Sequence, residues 1–207
     1  MELTLDQALQ KGVEAHKAGQ VQEADRLYTA ILKAQPKHPD ANHNMGVLAV
    51  GVGKAEEALP FFQTALEANS NTAQFWLSYI DALIKLERLA DAKSVLDQAK
   101  SNGAKGDGFN ELEKRLAQTV QDAVSQSQNT LMETAIQLRD SGNFAKAIEL
   151  LKIGTIEFVQ DTNILTLLSH CHILNNDIEE ATLHLDKAKS IDPNNAAVGW
   201  NKVRLLL

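Results

Sequence analysis

Several groups of residues in this sequence have types and spacings that could do chemistry. Gly51-Val52-Gly53-Lys54 looks like the end of a phosphate-binding loop, in which backbone amides cradle a phosphate and the lysine neutralises it. The full motif is G-x-x-x-x-G-K-[ST], but Leu48 stands where its first glycine belongs and Ala55 replaces the hydroxyl that would hold magnesium. It reads as a turn. His170-Cys171-His172 offers metal-ligand types. On a helix, however, residues two apart point about 200° apart, so the two imidazoles cannot share an ion. His38 and His43 flank a Pro-Asp helix start with no ligand partner at i+4, and His16 and His184 stand isolated. Carboxylates are numerous but fall on outer helical faces, where solvation is the default. With no nucleophile elbow, H-E-x-x-H or dinucleotide fingerprint, no catalytic residue, cofactor or metal ligand is assigned and no enzyme activity is expected.

The elements that would position such groups are helical. Apolar residues make up 44% of the 207 and aromatics only 5%, so alanine and leucine do most of the packing, which suits helix-on-helix contact. The formal net charge of −7 and the lack of a Lys/Arg cluster argue against nucleic acid and against an anionic membrane surface. The first residues carry acids where a secretory leader would carry Lys or Arg, and no apolar run approaches the roughly 18–20 residues of a membrane span. With the single cysteine, Cys171, this makes the cytoplasm the expected location.

A repeat is visible in the arithmetic. Ala24, Ala58, Ala92, Ala147 and Ala181 follow one another at gaps of 34, 34, 55 and 34, and a single insert of 21 residues accounts for the odd gap. Four residues after each stands a large apolar side chain: Tyr28, Phe62, Leu96, Leu151, Leu185. Three further come Ile31, Ala65, Ala99, Gly154 and Ala188. Upstream, a turn glycine (Gly19, Gly53, Gly142) is replaced by Glu87 and Asn176, and a small residue (Gly12, Gly46, Ala135, Ser169) by Ile80 in one unit. Each unit reads as two amphipathic helices of about a dozen residues. Gly46 and Ala58 are expected to let the two backbones of a unit meet, with Phe62 filling the gap to the next unit. A coiled coil is the alternative for any alanine- and leucine-rich chain, but punctuation every 34 residues argues against it.

This pattern resembles the tetratricopeptide repeat, W-x2-L-G-x2-Y, then A-x3-F, then P, at a 34-residue period. The third unit shows Trp76-x2-Tyr79-Ile80-x2-Leu83 and Ala92-x3-Leu96; the second shows Asn42-x2-Met45-Gly46-x2-Ala49 and Ala58-x3-Phe62. The resemblance covers nearly the whole chain and implies an all-α fold, an α-solenoid of antiparallel helix pairs in a right-handed superhelix. The units read as 5–38, 39–72, 73–106, 128–161 and 162–195. Residues 107–127 read as an unpaired, irregular linking helix that can run on into the next unit, a hinge being the alternative. Residues 196–207 read as the first helix of a truncated sixth unit, whose Leu205-Leu206-Leu207 would either mark a fragment of a longer array or pack on a second copy.

In this family the first helix of each unit lines a concave groove. The resemblance therefore places Leu9, Val13, His16, His43, Asn44, Val47, Val50, Gln74, Leu77, Ser78, Asp81 and Ile84 on the inner surface of the first three units, and Met132, Glu133, Ile136, Thr166 and His170 on that of the second block. The carboxylate clamp of chaperone-binding members is missing: only Asn44 fits, while Leu9, Val13, Gln74 and Ser78 occupy the other places. The asparagine ladder of O-linked N-acetylglucosamine transferases is broken, reading Gln10, Asn44, Ser78, Glu133, Leu167. What remains is an apolar strip, Leu9-Val13-Val47-Val50-Leu77-Ile84, suited to an amphipathic helix or an extended apolar peptide. The expected function is a non-catalytic scaffold for a protein or peptide partner, or for a second copy through the C-terminal helix. The alternative is the substrate-recruiting front of a larger glycosyltransferase, sulfotransferase or methyltransferase.

Overall fold

The structure, a computed structural model, describes residues 3–204. Among these residues there are eleven α-helices and no strand, and no helix is long and apolar enough to cross a membrane. Two compact units result, Met1–Gln121 and Asp122–Leu207. The expectation about Leu205-Leu206-Leu207 lies outside the described residues.

Unit 1 contains α1 (Leu5–Lys17), α2 (Val21–Ala34), α3 (Pro39–Gly51), α4 (Ala55–Ala68), α5 (Ala73–Lys85), α6 (Leu89–Ser101) and the first half of α7 (Asp107–Asp140). Local chemistry starts these helices. Thr4 and Gln7 form a capping box, the Gln7 amide donating to Thr4 Oγ1 at 3.2 Å while the Thr4 amide donates to Gln7 Oε1 at 3.0 Å. His38 Nδ1 accepts from the Ala41 amide at 3.3 Å, and Pro39 opens α3. The turn inside each pair needs one residue of positive φ: Gly19 and Gly53 supply it freely, whereas Glu87 adopts φ 57° at a steric cost.

Packing follows the columns. Ala24, Ala58, Ala92, Ala147 and Ala181 are all at 0% exposure. A methyl is a small side chain of the kind that lets two packed helices approach closely. The glycine column has a different use from the expected backbone approach. A Cβ on Gly12 would lie 2.5 Å from Tyr28 Cε1, and one on Gly46 would lie 2.6 Å from Phe62 Cε1. The missing side chain makes room for the aromatic ring of the partner helix. Where the ring is replaced by leucine (Leu96, Leu151, Leu185) the facing position carries Ile80, Ala135 or Ser169. Ser169 uses its place to donate from Oγ to the Ala181 carbonyl at 2.8 Å.

α7 refines the reading of residues 107–127. First helices begin at residues 5, 39 and 73, and α7 begins at 107, one period on. Its Phe109, Leu112 and Leu116 are buried in the same core as Phe75, Ile80 and Leu96, and Lys100 and Glu113 pair at 2.7 Å. The segment therefore takes the place of the first helix of a fourth pair whose second helix is missing. Lys114, in the column of Gly12, Gly46 and Ile80, is accordingly exposed. The helix continues unbroken, and stepping back 34 residues from Thr162, where α9 begins, lands inside it at Gln128.

Unit 2 contains the second half of α7, then α8 (Phe144–Glu157), α9 (Thr162–Leu174), α10 (Ile178–Ile191) and α11 (Ala196–Arg204). Asp161 caps α9, its Oδ1 accepting from the amides of Asn163 and Ile164 at 2.7 and 3.2 Å. Ala135, Ala147, Leu151, Ile164, Leu168 and Cys171 form one core, and Leu165, Leu185, Ala188 and Val198 a second that seats α11.

Candidate functional site

In unit 1 the first helices of successive pairs touch, α1 on α3 and α3 on α5, while among the described residues no comparable contact joins α2 to α4 or α4 to α6. The layer of first helices is the more closely packed one. The twelve residues expected to line a groove stand on α1, α3 and α5 in three different situations.

Leu9, Val13, Val47, Val50 and Leu77 are half-buried and keep part of their apolar surface open; Val47, Val50 and Leu77 also lean on the adjoining core. Ile84, at 7% exposure, is withdrawn into the interior and serves packing instead of a ligand. His43, at 9%, stacks on Phe75 with ring centroids 4.8 Å apart, and its Nε2 lies 2.9 Å from Ser78 Oγ. Gln74 Nε2 donates to the same hydroxyl at 3.2 Å. His43, Gln74 and Ser78 thus form a polar link between α3 and α5. Burial holds the His43 imidazole below its ordinary value, against the raising influence of Asn44 and Asp40. His16 meets the Tyr28 ring edge-on at 6.3 Å, and Asn44 is half-buried beside His43. Asp81 pairs with Lys85 at 2.9 Å and with Arg115 of α7. Burial alone would raise this carboxyl, but the two cations hold it below the usual carboxylate range. The polar half of the expected groove is therefore engaged within the protein, and the apolar half stays available.

A further concavity lies in unit 2. A groove of about 470 Å³ is bounded by Met132 and Arg139 from α7, Asn163, Thr166, Leu167 and His170 from α9, and Ala197, Trp200 and Asn201 from α11. Three of the five residues expected on this face, Met132, Thr166 and His170, line it; Glu133 and Ile136 do not. Asn201 anchors α11 by donating from Nδ2 to the Thr166 carbonyl at 2.9 Å, and Asn195 donates to Thr162 Oγ1 at 3.2 Å. These bonds fix the wall on which Trp200 stands with 74% of its surface exposed. Asn201 falls 34 residues after Leu167, in the row of the broken asparagine ladder, and its amide serves the fold. Trp200 was visible in the sequence only as the start of a further unit; its groove depends on how α11 docks on α9.

Nucleophilic chemistry finds no support at Cys171. The residue is fully buried, and burial pushes its thiol up to about 11, far from a reactive thiolate.

Two family models described as tetratricopeptide repeat match the chain, one at residues 49–108 and one at 162–195. No curated protein matches it. Among solved structures, the chain is similar to the P58(IPK) TPR domain at TM-score 0.50 and 19% identity, covering 97% of this chain and 54% of that one. A tetratricopeptide repeat protein from Parabacteroides merdae gives 0.52 at 18% identity, covering 98% and 84%. The TPR2B domain of yeast Sti1, solved as a pHsp70 complex, gives 0.51 at 21%, covering 55% and 96%. The chain thus spans about half the length of the first of these, and at such identities the likeness establishes the fold.

Proposed function

We propose that this chain, matched by tetratricopeptide-repeat models at residues 49–108 and 162–195, is a protein-interaction scaffold of that kind that catalyses no reaction and grips a peptide segment of its partner in the groove of unit 2. The observation that carries the reading is Trp200, a large aromatic side chain held open over a groove of about 470 Å³. An exposed indole on a fixed wall is the commonest kind of binding hot spot, because it offers large apolar area at little loss of rotamer freedom. Arg139 on the opposite helix, already paired with Asp140 at 2.7 Å, adds a polar edge, so an extended peptide with an apolar anchor fits best. The apolar strip Leu9, Val13, Val47, Val50 and Leu77 of unit 1 is a second contact in this reading. The formal charge of −7 supports a protein partner over nucleic acid, and the single buried cysteine is in keeping with the cytoplasm.

Selection of displayed random peptides on the purified protein tests this. The peptides recovered should shift Trp200 emission on binding, and Trp200→Ala should weaken them at least about tenfold, the loss expected at a hot spot. Val47→Glu with Leu77→Glu should leave their affinity within about threefold, since neither residue touches the groove of unit 2. Peptides that bind Trp200→Ala as well as the parent protein would exclude the groove, and loss in the double variant alone would move the site to unit 1.

Self-association is the second reading, favoured by one observation. Ile153, Ile156 and Val159 stand 50%, 76% and 62% exposed along and just beyond α8. Light scattering across a concentration series would detect a dimer, and Ile156→Lys should dissolve it if this face is the interface.

A further inference from the structure

The pair α9–α10 holds a cluster that no sequence motif announces. His172 of α9 is 2% exposed, and the His184 ring of α10 lies against it at 5.5 Å with planes inclined by 22°. Glu180 stands one turn before His184 on the same helix face, its Oε2 3.6 Å from His184 Nε2. One ligand atom from each of the three residues lies within 4.8 Å of the other two. Among the described residues neither Nε2 has a hydrogen-bond partner, although both atoms are shut away from solvent. Burying two imidazole nitrogens side by side without partners is costly, and a convergent pair of this kind asks for a common acceptor of their lone pairs.

The surroundings set the ligand form. His172 Nδ1 lies 3.3 Å from Asp177 Oδ2, so Nδ1–H donates to the carboxylate and Nε2 carries the lone pair toward His184 and Glu180. A carboxylate behind a histidine in this way is the usual outer support of a metal-ligating imidazole. Asn175 Nδ2 donates to the same Asp177 oxygen at 2.6 Å and holds that carboxylate in place behind His172.

We propose that His172, Glu180 and His184 bind one divalent transition-metal ion of borderline softness, Zn2+ being the best match, and that the ion staples α9 to α10. Two imidazoles and a carboxylate suit Zn2+, whose bonds of about 2.0–2.2 Å place tetrahedral ligand atoms roughly 3.3 Å apart. The 3.6 Å between His184 and Glu180 is already close to that spacing, and the exposed Glu180 side chain can close the remainder and admit the ion from solvent. Lys152 and Lys187 lie near enough to oppose added positive charge, and Glu180 and Asp177 offset them.

Tag-free protein stripped with a chelator and titrated with ZnCl2 by calorimetry tests the site. One Zn2+ per chain should bind and raise the melting temperature, and Glu180→Gln and His184→Gln should each weaken binding at least tenfold with the helical circular dichroism unchanged. His16→Gln, in unit 1, should bind as the parent does. Glu180 is exposed, so its variant keeps the test decisive should His184→Gln fold poorly. No saturable binding, or equal binding by Glu180→Gln and the parent, would overturn the proposal.

Discussion

Size matching between Gly46 and Phe62 can be tested by exchanging the solution used in one pair for that used in another. In Gly46→Ala the new methyl carbon would lie 2.6 Å from Phe62 Cε1 and 2.9 Å from Cδ1 and Cζ. An ordinary carbon contact is about 3.5–4.0 Å, so the overlap is close to a full ångström. The ring cannot swing aside: it is 1% exposed, with His43 at 5.9 Å and Tyr79 at 6.2 Å. Overpacking of this order costs about 1–3 kcal/mol, and the better helix propensity of alanine offsets roughly 1 kcal/mol. Since the contact is at the severe end, Gly46→Ala should destabilise by about 1–2 kcal/mol despite being a change that strengthens most helices. Phe62→Leu alone should cost about 1–2 kcal/mol through the space it leaves. The double variant reproduces the Ala135/Leu151 combination of unit 2 and should be more stable than the two single losses predict, with a coupling of about 1 kcal/mol or more. Urea unfolding of the full chain, followed by Trp76 emission, reads this out in unit 1. Trp76 is buried and donates from Nε1 to the Ser70 carbonyl at 2.8 Å, whereas the exposed Trp200 changes little on unfolding. A neutral or stabilising Gly46→Ala, or strictly additive singles, would refute the reasoning.

Three more outcomes are expected. Glu87→Gly should stabilise by about 0.5–1 kcal/mol, because a left-handed φ of 57° costs a side-chain-bearing residue roughly 1–2 kcal/mol and glycine's unfolded-state entropy takes part of that back; urea midpoints decide it. Cys171 should react with a thiol reagent only as fast as the protein opens, so its rate should fall to that of hydrogen exchange in unit 2 and rise sharply in urea. The third concerns His43, whose folded imidazole sits below its ordinary value of 6.5. The unfolded chain takes up that proton first, so His43 contributes stability that is full above pH 6.5 and lost as the pH falls through the folded value. His43→Gln should flatten the decline of unit 1 stability between pH 7.5 and 5.5, and an unchanged slope would contradict the assignment.

Much of the fold was legible because a helix contact admits so few residues. Ala24, Ala58 and Ala92 are spaced by what two packed helices require, and all three are fully buried. Glu87 and Asn176 were identifiable as turn residues by their column, although neither is glycine, and both take positive φ. The first half of α7 was harder to place. Counting from the alanine of each second helix makes it look like an insert, whereas counting from Ala73 to Asp107 keeps the period. The site was legible in part. Val47 and Leu77 fall on a first-helix face by simple periodicity, but the engagement of Asp81 by Arg115 depends on how α7 packs beside α5. His172 and His184 belong to different helices and face each other only after these pack, so sequence distance hid them; the Glu180-x3-His184 spacing on one face was the available hint.

Unit 1 carries its own ending within the chain. A stack of helix pairs leaves an oily end face, and the first half of α7 covers it with Phe109, Leu112 and Leu116 while turning Glu111, Lys114 and Arg115 outward. The three pairs before it are thus covered on that side, like books held by a bookend. Such a stack could be copied, moved or joined to other modules as a finished piece, which an open-ended array could not.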